Sequence, residues 1–306
     1  MKILVTGSSG RVGRAICERL AQHHRVTGLD RTPSPTTALV CDLSDAATIR
    51  AALVGVDAVI HTAAIHAPHV GAQSDAEFRR VNIEGTRLLA GQSIAVGVSR
   101  FVFTSTTALY GVAGTAGTAP AAWIDEHTPP HPRTIYHETK LQAELLLQRY
   151  GQAGAMIVTI LRMSRCFPEP APAMAAYRLH RGIDARDVAS AHERAVEAFS
   201  TVGARTFVIS GNTPFVPQDC AELGRDAPQV LRRRAPALAE AFDRRLWPLP
   251  MSIDRVYDSR QAQRELGWQP KYGFEEVLAQ LDADDPEVLT PRPRSKQDIR
   301  ASGPRP

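Results

Sequence analysis

Short apolar runs alternate with amphipathic stretches along most of the chain. The runs KILVT, RVTGLD, TALVCDL, DAVIHTAA, RFVFTST, AMIVTILR and TFVISG are continuous and rich in aliphatic residues. Between them lie helical patterns such as DAATIRAALVGV and DAEFRRVNIEGTRLLAGQSIAVG. Continuous apolar strands separated by helices predict a parallel sheet covered on both faces, an α/β fold. Two regions break the rhythm: GVAGTAGTAPAAW (111–123), a loop of small residues, and FPEPAPAMAAYRLHRG (167–182), rich in proline and alanine. After Gly211 the pattern becomes mostly helical and irregular, up to ELGWQPKYGFEEVLAQL. No internal repeat is visible.

Composition places the 306 residues among ordinary globular proteins, with 43% apolar and 22% charged positions. No run approaches the ~20 apolar residues of a membrane span. The start, MKILVTG, enters a strand pattern directly, so no secretion leader is predicted. Cys17, Cys41, Cys166 and Cys220 are scattered with no CxxC pair, which predicts reduced, buried thiols in a cytoplasm. Charge changes the picture only at the end. Arg292, Arg294, Lys296, Arg300 and Arg305 against Asp298 account for the whole formal charge of +4. Residues 291–306 therefore read as a solvated, disordered tail, and neither nucleic acid nor membrane is expected as a partner.

Gly7, Gly10 and Gly13 follow KILVT and open the helical pattern RVGRAICERL. In that context the first glycine permits a tight turn and the second leaves room for a pyrophosphate. The third lets helix and strand pack closely. The helix N-terminus then faces the phosphates, with Ser9, Arg11 and Val12 in the same turn. RVTGLD ends in Asp30, whose carboxylate suits the adenosine ribose hydroxyls and repels a 2′-phosphate, favouring NAD over NADP. The neighbouring guanidinium of Arg31 is the one feature that suits a phosphate. Asp42 and Leu43 end TALVCDL and are expected beside the adenine.

The segment PRTIYHETKLQAELLLQRY reads as a helix with Tyr136 and Lys140 one turn apart on one face. A phenol is a poor base at neutral pH, and an adjacent ammonium lowers its pKa. Such a tyrosine takes a proton from an alcohol while hydride moves to nicotinamide. Upstream, FVFTSTTALYG places Thr104, Ser105, Thr106 and Thr107 at the carboxyl end of a strand, where parallel sheets bind ligands.

The set TGSSGRVG, Asp30, CDL, HTAA, NIEGT, FTSTTALYG and YHETK, in that order, resembles the extended short-chain dehydrogenase/reductase family, the NAD-dependent epimerase/dehydratase group. DARDVASAH and ELGWQPKYGFEEVL resemble the family's later segments, so the likeness spans about residues 1–290. It implies a Rossmann doubly wound parallel sheet with a small, shortened C-terminal substrate lobe. The expected division is 1–165, mainly dinucleotide-binding, and 166–290, a substrate lobe interleaved with the last strands. It also implies a bound NAD and a homodimer built from helices 74–97 and 135–150. By position, Tyr136 resembles the catalytic base, Lys140 its partner on the nicotinamide ribose, and Thr106 the catalytic hydroxyl, with Ser105 as an alternative. Thr62, Ala63 and Ala64 of HTAA and Thr104 match positions lining the cofactor, and Asn82 one that orders the site.

Departures from the family narrow the chemistry. Dehydratases carry an Asp–Glu pair after the catalytic Thr; here Thr107 and Ala108 stand there, so elimination lacks a general acid. RMSRCFPEP resembles the RxxxCxPEP pattern of uronate dehydrogenases, with Arg165 able to clamp a carboxylate. Tyr177, Arg178 and Arg181 fall where a substrate lobe forms, and the short 167–182 segment predicts a small substrate. His61, His66 and His69 fit no zinc spacing, so no metal is expected, and the run 232–234 reads as a solvated helix face. The leading expectation is an NAD-dependent oxidoreductase acting on a secondary alcohol of a sugar or sugar-like substrate. The alternatives are a nucleotide-sugar 4-epimerase and, third, a cofactor-bound protein without turnover.

Overall fold

The computed structural model describes residues 1–111 and 119–291. Most of the expected small-residue loop and nearly all of the basic tail lie outside those residues. Among the described residues nine strands occur: β1 (Lys2–Thr6), β2 (Arg25–Asp30), β3 (Leu39–Val40), β4 (Ala58–His61), β5 (Arg100–Thr106), β6 (Ala122–Ile124), β7 (Ile157–Met163), β8 (Gly203–Ile209) and β9 (Arg255–Tyr257). Seven form one parallel sheet in the order β3-β2-β1-β4-β5-β7-β8, and β6 pairs with β9 in a separate parallel pair.

Helices cover both faces, which is why the strands read as continuous apolar runs. On one face Ile16, Cys17 and Leu20 of helix Arg11–Leu20 pack with Val188, Ala191 and Ala195 of helix Ala185–Glu197. On the other, Leu89 and Ala90 of helix Thr86–Ala95 pack with Ala143 and Leu147 of helix Ile135–Gln152. A separate apolar cluster holds the later helices together: Leu223, Val230, Leu231, Leu238 and Phe242, with Val277 of helix Phe274–Asp282.

Two elements differ from the pattern-based expectation. TALVCDL contributes only Leu39 and Val40 as an edge strand. After Cys41 the Asp42 carboxylate accepts the Ser44 N–H at 2.9 Å, and this side-chain turn ends the strand. The helix expected over 74–97 is three pieces: Asp75–Arg79, a π-helical stretch Arg80–Gly85, and Thr86–Ala95. The widened turn contains Asn82, whose side chain is fully engaged with a neighbouring loop (below), as π-bulges commonly are at functional sites.

The strand order reverses between β1 and β4. Open α/β sheets bind ligands at such a switch point, beyond the carboxyl ends of the strands. A cleft of about 730 Å³ opens there. No helix among the described residues is long and apolar enough to cross a membrane.

Candidate active site

The turn after β1 separates the roles of its glycines. Gly7 has φ +75°, and a Cβ there would lie 2.5 Å from the Thr62 hydroxyl. A Cβ on Gly13 would lie 2.0 Å from the Gly7 carbonyl, so this glycine lets the helix meet the turn. Gly10 faces open space: a Cβ would meet only the Gly7 carbonyl, at 3.4 Å. It caps helix Arg11–Leu20 without a side-chain bond, and no acid occupies the first turn. The positive end of the helix therefore points into the cleft. Arg11 adds to it, with Nη2 on Glu287 while Nε and Nη1 are buried without partners. Orphaned cationic donors beside an open helix N-terminus fit a pyrophosphate.

At the end of β2, Asp30 accepts the Ser9 N–H on one carboxylate oxygen and the Thr32 N–H on the other, each at 3.0 Å. These bonds fix the carboxylate on the cleft wall beside the glycine turn. Val12, Arg31, Asp42 and Leu43 line the same cleft. Arg80 grips Asp42 at 2.9 and 3.3 Å. That grip, with the Ser44 bonds, holds the Asp42 carboxyl far below the usual carboxylate range. These groups fit the adenosine end of NAD.

Behind the wall formed by Thr62, Ala63, Ala64 and Ile65 lies a buried proton chain. The Thr86 hydroxyl donates to the Asn82 carbonyl at 2.7 Å, so His61 Nε2–H donates to Thr86 at 2.9 Å and Nδ1 accepts from Thr6 at 2.6 Å. Burial, with the Lys140 charge, pushes His61 down to about 3, and the ring is neutral. The side chain of Asn82 does not reach the cleft. It accepts the Ile65 N–H at 2.8 Å and donates to the Ile65 carbonyl at 2.9 Å and to Thr139 at 3.0 Å. It thereby ties the Ala63–Ile65 wall to helix Ile135–Gln152. Among the described residues no group of three His, Cys, Asp or Glu is placed to hold a metal ion.

Helix Ile135–Gln152 starts at Thr134, which caps the His137 N–H. It is anchored by Glu144, which receives Arg162 of β7 through Nε and Nη2 at 2.7–3.2 Å. Arg162 Nη1 donates to the Tyr110 hydroxyl at 3.0 Å, so this buried pair has its remaining donor occupied. Tyr136 and Lys140 then face the cleft together. Burial pushes the Tyr136 phenol up to about 12, opposed by a hydrogen bond with Thr106. Lys140 donates to the Thr104 carbonyl at 2.6 Å, and its Nζ lies 3.8 Å from the centre of the Phe103 ring. Burial lowers it to about 7, against the pull of Glu144. The sequence predicts that Lys140 lowers the Tyr136 pKa; in this structure the ammonium is directed at a carbonyl, and Thr106 is the group that acts on the phenol.

The hydroxyls at the end of β5 divide their tasks. Thr104 donates to His192 Nε2 at 2.7 Å, because the His192 Nδ1–H is committed to the Val188 carbonyl. Thr106 caps the Ala108 N–H at 3.1 Å and faces Tyr136. The Ser105 hydroxyl lines the cleft, buried and without a partner.

On the far side of Tyr136 the cleft is bounded by Arg165, which pairs with Glu169, and by Phe167. Tyr177 walls an adjoining cavity of about 890 Å³. The structure does not bring Arg178 to either space: it is buried and paired with Asp184 at 3.0 Å. Sequence reasoning missed Arg133, Arg255 and Tyr257, which all line the cleft. Arg133 precedes the cap Thr134, outside the helix, so helical spacing does not mark it. Nothing local marks Arg255 and Tyr257, which arrive through the β6–β9 pairing.

Comparison with known proteins agrees with this geometry. Residues 3–176 match the model of the NAD dependent epimerase/dehydratase family. A 3-beta-hydroxysteroid dehydrogenase of Mycolicibacterium neoaurum is 34% identical over 52% of this chain and 46% of its own length. An NAD-dependent glucose-6-phosphate dehydrogenase of Haloferax volcanii is 30% identical over 53% of this chain and 67% of its own. This chain thus spans about half the length of the first of these relatives. A short-chain dehydrogenase/reductase superfamily protein from Agrobacterium tumefaciens, solved with bound NAD, superposes with a TM-score of 0.69 over 92% of this chain and 96% of its own. At 24% identity that likeness shows the fold. The family match covers more than half of the sequence, and the chain belongs to the NAD dependent epimerase/dehydratase family.

Proposed function

We propose that this protein is an NAD-dependent oxidoreductase acting on a secondary alcohol of a sugar or sugar-like substrate. The observation that carries the reading is the meeting of Tyr136, Thr106 and Lys140 in one cleft that also contains the open glycine turn and Asp30. When bound, NAD supplies the hydride acceptor. Gly10, Arg11 and the helix N-terminus hold its pyrophosphate, and Asp30 selects against a 2′-phosphate. Thr106 hydrogen-bonds the reacting alcohol oxygen and Tyr136 takes its proton. Lys140, moved from the Thr104 carbonyl, holds the nicotinamide ribose and shares the phenolate charge. No carboxylic acid stands at Thr107 or Ala108, so the reading excludes a dehydratase. On this reading residues 1–165 bind mainly the cofactor and 166–290 mainly the substrate. We also infer a homodimer through the helical segments 74–97 and 135–150, and a cytoplasmic location that suits four free, buried cysteines.

A second reading, a nucleotide-sugar 4-epimerase, is favoured by the adjoining cavity. The short 167–182 segment predicts a small substrate, yet the 890 Å³ beyond the cleft gives space for a longer one. Incubation with NAD and a panel of sugars, sugar acids and nucleotide sugars separates the two. Net NADH supports oxidation; inversion of the substrate without net NADH supports epimerisation. Neither outcome with any member of the panel would leave the proposal without support.

A further inference from the structure

The cleft and the adjoining cavity share Arg133 and Arg181 in their walls. Tyr136 lines the same cleft that meets the cavity at this junction. The junction is strongly positive. Arg255 and Arg181 share one carboxylate, that of Asp254: Arg255 binds it through Nε at 2.8 Å and Nη2 at 2.6 Å, and Arg181 through Nη1 at 3.3 Å. Arg133 forms no ion pair among the described residues. Arg133, Arg181 and Arg255 all line the cleft, while the Asp254 carboxylate that the last two share lines the adjoining cavity. His180, on the same cavity wall, gives its Nδ1–H to the Arg255 carbonyl at 2.9 Å. Burial and the Arg181 charge push its pKa down to about 3, so it is neutral. Arg181 is further held with its Cζ 4.8 Å from the Tyr177 ring centre. Arg165, expected from the sequence to hold a carboxylate, already has Glu169.

We infer that Arg133, with Arg181 beside it, is the specificity-determining contact for an anionic group on the substrate, a carboxylate or a phosphate. The inference rests on the reading of Tyr136 as the reacting end. Arg133 lies three residues before Tyr136, in the segment just ahead of the helix cap Thr134, and both side chains line the cleft. An unpaired guanidinium at a partly enclosed wall forms charge-assisted, bidentate bonds that a neutral hydroxyl does not match. The surplus positive charge also draws anions into the cleft mouth.

The test is binding, which separates it from turnover. Tyr136→Phe protein saturated with NAD is titrated calorimetrically with D-glucose, D-glucuronate and D-glucose 6-phosphate, and with inorganic phosphate. At least one anion is expected to bind tenfold or more tightly than glucose, and the stronger of glucuronate and glucose 6-phosphate identifies carboxylate or phosphate as the recognised group. Adding Arg133→Gln is expected to remove about tenfold or more of that advantage, as for a hydrogen bond to a charged group. Glucose affinity should change less than twofold, and Arg133→Lys should restore part of the loss. Anions that bind no better than glucose, no anion binding at millimolar concentration, or an Arg133→Gln variant that keeps the preference would each overturn the inference. Wild-type protein that binds the anion but forms no NADH with any of these sugars would instead defeat the oxidoreductase reading alone.

Discussion

Asn82 holds the backbone of Ile65 from both sides, accepting its N–H at 2.8 Å and donating to its carbonyl at 2.9 Å. The same amide reaches Thr139 on the helix that carries Tyr136 and Lys140. One side chain in a π-helical turn therefore sets the distance between the cofactor wall and the candidate catalytic helix. Asn82→Ala leaves buried backbone groups of Ile65 unpaired and is expected to cost about 1–3 kcal/mol. Denaturant unfolding would read that loss, and NAD affinity should fall with it as the wall loosens. Unchanged stability would show that the clamp is dispensable.

Tyr136→Phe removes only the phenol oxygen. Turnover should drop by about 10²–10⁴-fold while NAD affinity stays nearly constant. Lys140→Met should damage both, and Thr106→Ala should be the mildest because it loses a neutral hydrogen bond whose place the unpartnered Ser105 hydroxyl is positioned to take. Steady-state rates with fluorescence titration of NAD decide it. A Tyr136→Phe enzyme retaining more than about a tenth of wild-type activity would require another base.

Gly10 and Gly13 make opposite predictions from similar positions. Gly10→Ala has space for its methyl and should melt near the wild type, yet bind NAD more weakly because the methyl occupies the anion site. Gly13→Ala forces a contact with the Gly7 carbonyl and should lower the melting temperature before any ligand is added. Equal melting losses in the two variants would refute the division of roles.

Asp30 is held by the Ser9 and Thr32 N–H groups and has little freedom to swing away from a ribose. NAD should therefore bind more tightly than NADP. Asp30→Ser should narrow the ratio by at least about tenfold, since it removes a like-charge repulsion worth a few kcal/mol in a partly buried site. Titration of both dinucleotides against both proteins gives the ratios; a wild-type preference for NADP would reverse the assignment.

Three buried histidines govern acid stability. His61 and His180 are lowered to about 3 and His192 to about 4, all chiefly by burial, from 6.5. Below pH about 6.5 the unfolded chain takes up protons that the folded rings refuse. Stability contributed by neutral rings is thus full above that pH and is lost as pH falls toward the folded values, at up to about 1.4 kcal/mol per unit for each ring. Urea unfolding at pH about 7.5 and about 5 should show a steep decline. A flat profile between them would mean that these rings protonate in the folded state.

The sequence by itself determined what depends on neighbours along the chain. The continuous apolar runs of β1, β4, β5 and β7 could only be satisfied in a sheet buried on both faces, so the fold class was readable. Gly7, Gly10 and Gly13 announced a turn, and Tyr136 and Lys140 a shared helix face, because both follow from local geometry. Tertiary structure decided what depends on distant partners. It set Asn82 behind the cleft wall, turned Arg178 away onto Asp184, and spent Arg165 on Glu169. It also brought Arg255 and Tyr257 to the mouth of the site through a strand pair whose members are more than a hundred residues apart. A buried polar side chain goes wherever its charge or hydrogen bond is satisfied, and that partner is chosen by packing rather than by sequence distance.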